Sequence, residues 1–371
     1  MRIGIPTEVK DHEYRVSITA GGVRELIADG HQVVVQSGAG VGSNISDADY
    51  AAVGAEIEKD AATVWHSSDL ILKVKEPIES EYQFLREGLQ LFTYLHLAAD
   101  KPLTERLLET KTTSIAYETV VGRHGGLPLL APMSEIAGKL SAQVGAYHAM
   151  RPLGGRGILA GGVPGVSPAN VVVIGGGVAG LNAARVSAGL GARVEIFDVN
   201  VERLQQIDDL VGPNIQTRFS NLHDLESSAM NADIVIGAVL VPGAKAPRLL
   251  TNAQVANMRS GSVLIDISID QGGCFEDSHK TTHSDPTFRV HDSVYYCVAN
   301  MPGAVPTTST PALSNVTLPY ARAIAKHGWL DALRSDVGLS QGLHTHDGVL
   351  FNDQVGQAHG ISTKPIEEAL V

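Results

Sequence analysis

The chain has 371 residues, more than one hydrophobic core usually organises, so two domains are expected. Hydrophobic residues at 44% and charged residues at 18% suit a folded globule and exclude a disordered or fibrous chain. The net charge is -12, from 28 Lys+Arg against 40 Asp+Glu, and with no long basic run this excludes nucleic acid as an expected partner.

The first residues, Met1 to Glu8, read as a short strand with no basic segment, apolar stretch and cleavage site, so secretion is not expected. Up to about residue 130, short apolar runs alternate with segments of helical character. The runs are Ile3 to Ile5, Gln32 to Gln36, Leu70 to Val74, Leu91 to Tyr94 and Thr113 to Ala116; the helical segments include Ala20 to Asp29 and Thr104 to Glu109. That alternation predicts βα units. Met133 to Met150 follows with Ile136, Leu140, Val144 and Tyr147 at helical spacing, predicting one long helix.

Gly154 to Pro168 is rich in glycine and proline and reads as a loop by composition. A second βα series then runs through Val171 to Ile174, Arg193 to Phe197, Ile215 to Phe219, Asp233 to Val239, Val263 to Ile267 and Val294 to Val298. After Pro306 a helix is predicted over Leu313 to Lys326, followed by a polar tail rich in Gly and His. Apolar runs such as Ile234 to Val241 fall short of the roughly 20 residues that span a bilayer, so no membrane partner is expected. The two cysteines, Cys274 and Cys297, form no CxxC motif; a reducing cytoplasm fits them, without structural zinc or a disulfide framework.

The most informative motif is Val171-Val-Val-Ile-Gly175-Gly-Gly177-Val178-Ala179-Gly180, an apolar strand running through G-x-G-x-x-G into a helix. Gly175 permits the tight turn, Gly177 lets a pyrophosphate approach the backbone, and Gly180 lets the helix pack on the strand. The helix N-terminus then offers its amides to the phosphates. The next strand ends in Asp198, placed to bind both ribose hydroxyls and to repel a 2′-phosphate, which favours NAD over NADP. Arg203, one helical turn beyond, pulls weakly the other way. Ligands of open α/β sheets lie at the carboxyl ends of strands, which places Asp270 and Asn300 near the nicotinamide. The fold class predicted is α/β: two Rossmann-like doubly wound domains, with an NAD-binding domain (131–305) inserted into a discontinuous substrate domain (1–130 and 306–371).

Across nearly its whole length the chain resembles the family of bacterial L-alanine dehydrogenases and the soluble part of the proton-translocating nicotinamide nucleotide transhydrogenase. The matching blocks are Gly4-Ile-Pro-Thr-Glu8 with Glu13-Tyr-Arg15-Val, Leu72-Lys-Val-Lys75-Glu-Pro77, Thr93-Tyr-Leu-His96-Leu-Ala98, Pro132-Met-Ser-Glu135-Ile-Ala-Gly138, Gly161-Gly-Val-Pro-Gly165-Val and Asp270-Gln-Gly-Gly-Cys274. The glycine-rich loop thereby becomes a family feature.

The resemblance implies NAD-dependent interconversion of L-alanine with pyruvate and ammonia. It implies that Arg15 and Lys75 hold the substrate carboxylate and carbonyl, and that His96 and Asp270 are the acid and base. Those residue types suit the chemistry: a guanidinium fork and an ammonium for a carboxylate, and an imidazole for proton movement near neutral pH. It further implies Tyr94, Met133 and Asn300 in the substrate pocket, and Ser134, Val178, Ala179, Ser220, Val239, Leu240, Ile267 and Met301 near NAD. Magnesium between Glu118 and His327, and assembly as a homohexamer, are implied in the same way. Two rival functions fit the glycine motif: a transhydrogenase-like subunit, and a non-catalytic NAD sensor.

Overall fold

The computed structural model describes residues 1–239 and 247–371. In chain order its strands are β1 (Arg2–Ile5), β2 (Gln32–Gln36), β3 (Glu56–Glu58), β4 (Leu70–Leu72), β5 (Gln90–Thr93) and β6 (Thr113–Ala116). These are followed by β7 (Asn170–Ile174), β8 (Arg193–Asp198), β9 (Ile215–Phe219), β10 (Ile234–Gly237) and β11 (Val263–Asp266). Last come β12 (Thr287–Val290), β13 (Ser293–Tyr296), β14 (Leu343–His346) and β15 (Val349–Leu350). The chain divides into two compact units, one of residues 1–133 with 303–371, the other of residues 134–302.

In the second unit the sheet order is β12-β13-β11-β10-β7-β8-β9. Counted from β7, this is the 3-2-1-4-5-6 arrangement of a dinucleotide fold, with β12 added antiparallel at the edge. The central strands β7, β10 and β11 are nearly continuous apolar runs, buried on both faces. Val171 and Val173 join one core with Ile234, Ile236, Val263 and Ile265, while Val172, Ile174, Val235 and Leu264 join the core on the opposite face. Each such buried aliphatic side chain contributes about 1.5–3 kcal/mol. The order reverses between β7 and β10, which pair in parallel through Ile234↔Val171 and Gly237↔Ile174.

The first unit repeats this plan. Its sheet order is β15-β14-β6-β5-β4-β1-β2-β3, again with a reversal, here between β1 and β4. Its edge is completed by the segment expected to be a polar tail: β14 pairs antiparallel with β6, and β15 with β14. His344 and Thr345 are buried there, so the polar composition that hid these strands comes from side chains hydrogen-bonded inside the fold.

The helix expected over Leu313 to Lys326 starts earlier, at Pro306, and ends at His327. Pro306 occupies the first helical position, where its missing N–H is no loss. The first turns carry no apolar period because Thr310 and Ser314 face inward as acceptors, taking the amides of Val16 and Thr19 at 3.1 and 3.2 Å. The long helix after the first six strands spans Ala131–His148. Its Gly138 lies so close to the glycine motif that an added Cβ would stand 2.1 Å from the carbonyl oxygen of Ala179.

Candidate active site

In each unit the residues singled out by the sequence gather at the carboxyl ends of the strands. In the second unit, Gly175 has φ 104°, and a Cβ there would meet the carbonyl oxygen of Ala238, just past the end of β10, at 2.6 Å. A Cβ on Gly180 would lie 1.8 Å from the carbonyl oxygen of Gly175, so both positions exclude a side chain. Gly177 caps the helix Val178–Gly189 with open space around it and no side-chain acceptor at the helix end. The amides of this first turn, which includes Val178 and Ala179, are therefore available to an anion.

Asp198 ends β8 and braces this loop. Its Oδ2 accepts from the amide of Gly176 at 2.7 Å and its Oδ1 from that of Asn200 at 2.8 Å, while its carbonyl accepts from Ser220 N at 2.9 Å. Arg203 donates from Nε to the carbonyl of Gly176 at 2.7 Å and from Nη1 to Gln206. The guanidinium is thus tied to the loop backbone. These residues fit a dinucleotide: a bare helix end for phosphates and a carboxylate for ribose hydroxyls.

Asp270 and Ile267 lie on a short 3-10 turn, Ile267–Gln271, directly after β11. The turn is held by Asp266, a residue the sequence reading passed over. Buried Asp266 accepts from Ser268 N, Cys274 N and Ser278 Oγ at 2.9, 2.8 and 2.5 Å. Burial raises its pKa, and those hydrogen bonds oppose the rise. Asp270 itself is exposed. Ser268 Oγ donates to the carbonyl of Val239 at 2.7 Å, joining this turn to the end of β10. Asn300 takes the left-handed conformation at φ 64°, and Met301 beside it is buried in the core. Ser134 opens this unit and is half-buried, while Leu240 lies outside the described residues.

The first unit brings Arg15, Tyr94, His96 and Met133 together. Arg15 is 2% exposed; Glu13 takes its Nε at 2.6 Å and its Nη2 at 2.5 Å, while Nη1 contacts the sulfur of Met133 at 3.0 Å. Burial alone would lower the Arg15 pKa, but the charge of Glu13 more than reverses that. The Tyr94 hydroxyl donates to the carbonyl of Leu129 at 2.5 Å, and the rings of Tyr94 and His96 lie 5.9 Å apart. Burial pushes the Tyr94 hydroxyl pKa far up, so it serves as a neutral donor.

Lys75 follows β4 and is only 9% exposed, yet no hydrogen bond or ion pair of its ammonium is found among the described residues. Its backbone is fixed instead. Glu8 accepts from the amides of Val74 and Lys75 at 2.6 and 3.3 Å, and Thr93 donates to the carbonyl of Lys75 at 3.0 Å. Glu8 and Glu81 in turn flank the buried ammonium of Lys73 at 3.2 and 2.8 Å.

His96 sits after β5 in the left-handed conformation, φ 50°. Two carboxylates hold it: Glu118 accepts from its amide at 2.6 Å and from Leu95 N at 3.2 Å, and Glu76 faces its Nδ1 at 3.2 Å. Glu13, Glu76 and Glu8 all lie inside the sequence blocks that named Arg15 and Lys75, so adjacency was the available signal.

The magnesium expectation is not supported. Glu118 spends its carboxylate on two backbone amides, and His327 is exposed at the end of its helix. No cluster of three or more His, Cys, Asp or Glu side chains suited to a metal occurs among the described residues, whereas magnesium asks for a near-octahedral, oxygen-rich shell.

Two family models cover most of the sequence: the alanine dehydrogenase/PNT N-terminal domain over residues 4–137 and the corresponding C-terminal domain over residues 141–353. The chain belongs to the alanine dehydrogenase/PNT family. Within it, the chain is 62% identical over 357 residues to an alanine dehydrogenase of Mycolicibacterium smegmatis, covering 96% of each chain. It is 58% identical to one of Mycobacterium tuberculosis, covering 97% of each. A solved L-alanine dehydrogenase superposes with a TM-score of 0.93 at 48% identity, over 97% of this chain and 99% of that one. A transhydrogenase from Sinorhizobium meliloti superposes with a TM-score of 0.80 at 25% identity, over 94% and 98%.

Proposed function

We propose that this member of the family is an NAD-dependent dehydrogenase that converts L-alanine and water to pyruvate and ammonia, and catalyses the reverse amination. The observation that supports this most is Lys75, a nearly buried cation whose ammonium makes no hydrogen bond or ion pair among the described residues, just past the end of β4, the strand that pairs with the β5 leading to a histidine bound to a carboxylate. An unpaired buried cation is costly, and a carboxylate substrate relieves that cost. An NAD sensor has no need of it.

The second unit is assigned to NAD, through Gly175, Gly177, Val178, Ala179, Gly180, Asp198 and Ser220, and the first to the amino acid. Bound NAD supplies the acceptor for the hydride leaving the substrate Cα. Lys75 and Arg15 hold the substrate carboxylate, and Lys75 polarises the oxygen that becomes the pyruvate carbonyl. His96 takes a proton from the water that adds to the imine carbon, then returns one to the departing ammonia. Tyr94 and Met133 confine the substrate side chain, each extra methylene costing about 1–3 kcal/mol. The roles given to Asp270 and Asn300, in the second unit, follow from the resemblance. So do the cytoplasmic setting and a homohexamer; Cys274 and Cys297, both buried and unpaired, suit the former.

Purified protein is expected to form NADH from NAD in the presence of L-alanine, and to prefer L-alanine over larger amino acids. NAD binding without alanine-dependent NADH formation would reject the enzyme reading.

A further inference from the structure

Glu76 directly follows Lys75, and its carboxylate bridges an ammonium and an imidazole. Oε1 takes the ammonium of Lys10, and Oε2 lies 3.2 Å from Nδ1 of His96. Glu76 is 8% exposed, so these partners set its orientation and solvent does not. Burial opposes its ionisation, but the hydrogen bond and charge of His96, with Lys75 and Lys10 nearby, hold its pKa well below the usual carboxylate range. An ionised carboxylate can only accept, so the proton of the hydrogen bond resides on Nδ1 of His96. Nε2 is then the nitrogen with a lone pair. The imidazole is about one-third exposed, so the side chain is not sealed from a small molecule.

We propose that Glu76 is the positioning residue for His96: it fixes the Nδ1–H tautomer and the ring orientation, so that Nε2 is presented as proton acceptor during amino-acid oxidation. The hydrogen bond made by one ring nitrogen decides the state of the other. The proposal rests on His96 being the proton-handling group, as assigned above. Lys10 has a definite part. It demands an oxygen at the Oε1 position, so an amide placed at residue 76 must turn its NH2 toward His96.

Glu76→Gln therefore keeps the shape of the side chain but inverts its meaning to the imidazole. Nδ1 becomes an acceptor and Nε2 carries the proton, the wrong form for a base. The test uses full-length protein labelled with 15N-histidine, the His96 signals being identified by their loss in His96→Ala. At a pH where the ring is neutral, wild type is expected to show Nδ1 protonated and Nε2 bare, and Glu76→Gln the reverse. With L-alanine and NAD, kcat is expected to fall about 10²-fold or more in Glu76→Gln, with NAD affinity unchanged. Glu76→Asp, which keeps an acceptor, is expected to retain the wild-type tautomer. Adding Lys10→Met to Glu76→Gln frees the amide to rotate and is expected to recover part of the lost kcat.

An unchanged tautomer in Glu76→Gln would overturn the proposal whatever the rate does. A switched tautomer with kcat within about twofold of wild type would overturn it as well. Should wild type fail to oxidise alanine, the functional reading fails instead, and the tautomer result still decides what Glu76 does to His96.

Discussion

His359 Nε2 donates a 2.6 Å hydrogen bond to the carbonyl oxygen of Leu97, 262 residues earlier in the chain. The bond pins the turn that follows His96, whose other anchor is Glu118 on the amides of Leu95 and His96. Without it, the remaining side-chain partner of that carbonyl is Thr104 Oγ1 at a longer 3.3 Å. His359→Leu is expected to cost about 1 kcal/mol of stability. It is also expected to lower kcat several-fold while leaving NAD affinity unchanged, as read by denaturant unfolding, steady-state kinetics and calorimetry.

Lys75 makes the opposite kind of prediction. Among the described residues its ammonium makes no hydrogen bond or ion pair to lose, so Lys75→Met removes a desolvated charge and leaves an apolar chain of similar length. Tm is expected to hold or rise, while kcat/KM for pyruvate falls by about 10²–10³-fold. A parallel loss of Tm and activity would show the lysine to be a structural element.

Nucleotide choice is expected to turn on Asp198. Asp198→Ala removes the charge that repels a 2′-phosphate and relaxes the preference for NAD over NADP, measured as the ratio of their kcat/KM values. Because the carboxylate also holds the amides of Gly176 and Asn200, affinity for NAD is expected to drop in the same variant.

Two glycines of the second unit should respond with opposite signs. Gly138→Ala drives a methyl to 2.1 Å from the Ala179 carbonyl and is expected to cost about 1–3 kcal/mol and to weaken NAD binding. Gly189, near the end of the dinucleotide helix, has nothing within 4 Å of its added Cβ. Gly189→Ala is expected to stabilise by about 0.4–1 kcal/mol.

Burial holds the imidazoles of His344, His148, His31 and His346 below the usual histidine range. In the unfolded chain each takes a proton near pH ~6.5. As pH falls through that value the unfolded state binds protons that the folded state refuses, so stability present above pH ~6.5 is progressively lost. Tm is expected to decline between pH ~7.5 and pH ~5.5. His344 is the sharpest case, since its Nε2 faces Thr119 and the amide of Asn352 inside the fold. His344→Gln is expected to flatten part of the decline, whatever its effect at the upper pH.

Much of the fold was legible where local pattern and tertiary role coincide. The strand, glycines and acid from Val171 to Asp198 announce a dinucleotide loop because each residue's constraint is local: a turn, a close approach, a strand end. The edge strands β14 and β15 were not legible, since the side chains of Thr345 and His344 find their polar partners in Thr112, Ser114, Thr119 and Asn352 only once the fold has formed. For the site, Arg15, Lys75 and His96 came from the resemblance. Their partners are ordinary acids in sequence: Glu13 meets Arg15 locally, two residues away, whereas Glu76 and Glu118 reach His96 only because the ends of neighbouring strands converge. The case of Glu118 shows the limit of carrying a role across: the structure commits that carboxylate to two amides.

Since β14 closes the edge of the sheet begun by β1 to β6, synthesis imposes a delay on the first unit. At ribosomal rates the stretch between β6 and β14 takes roughly ten to forty-five seconds to emerge. Throughout that interval the nascent sheet has β6 as an open edge, and the turn bearing His96 lacks its later anchor, while the glycine-motif unit is already free to close on itself. Maturation of the first unit is thereby timed to follow that of the second, and any truncation before β14 would leave the first unit with an edge-exposed, aggregation-prone sheet.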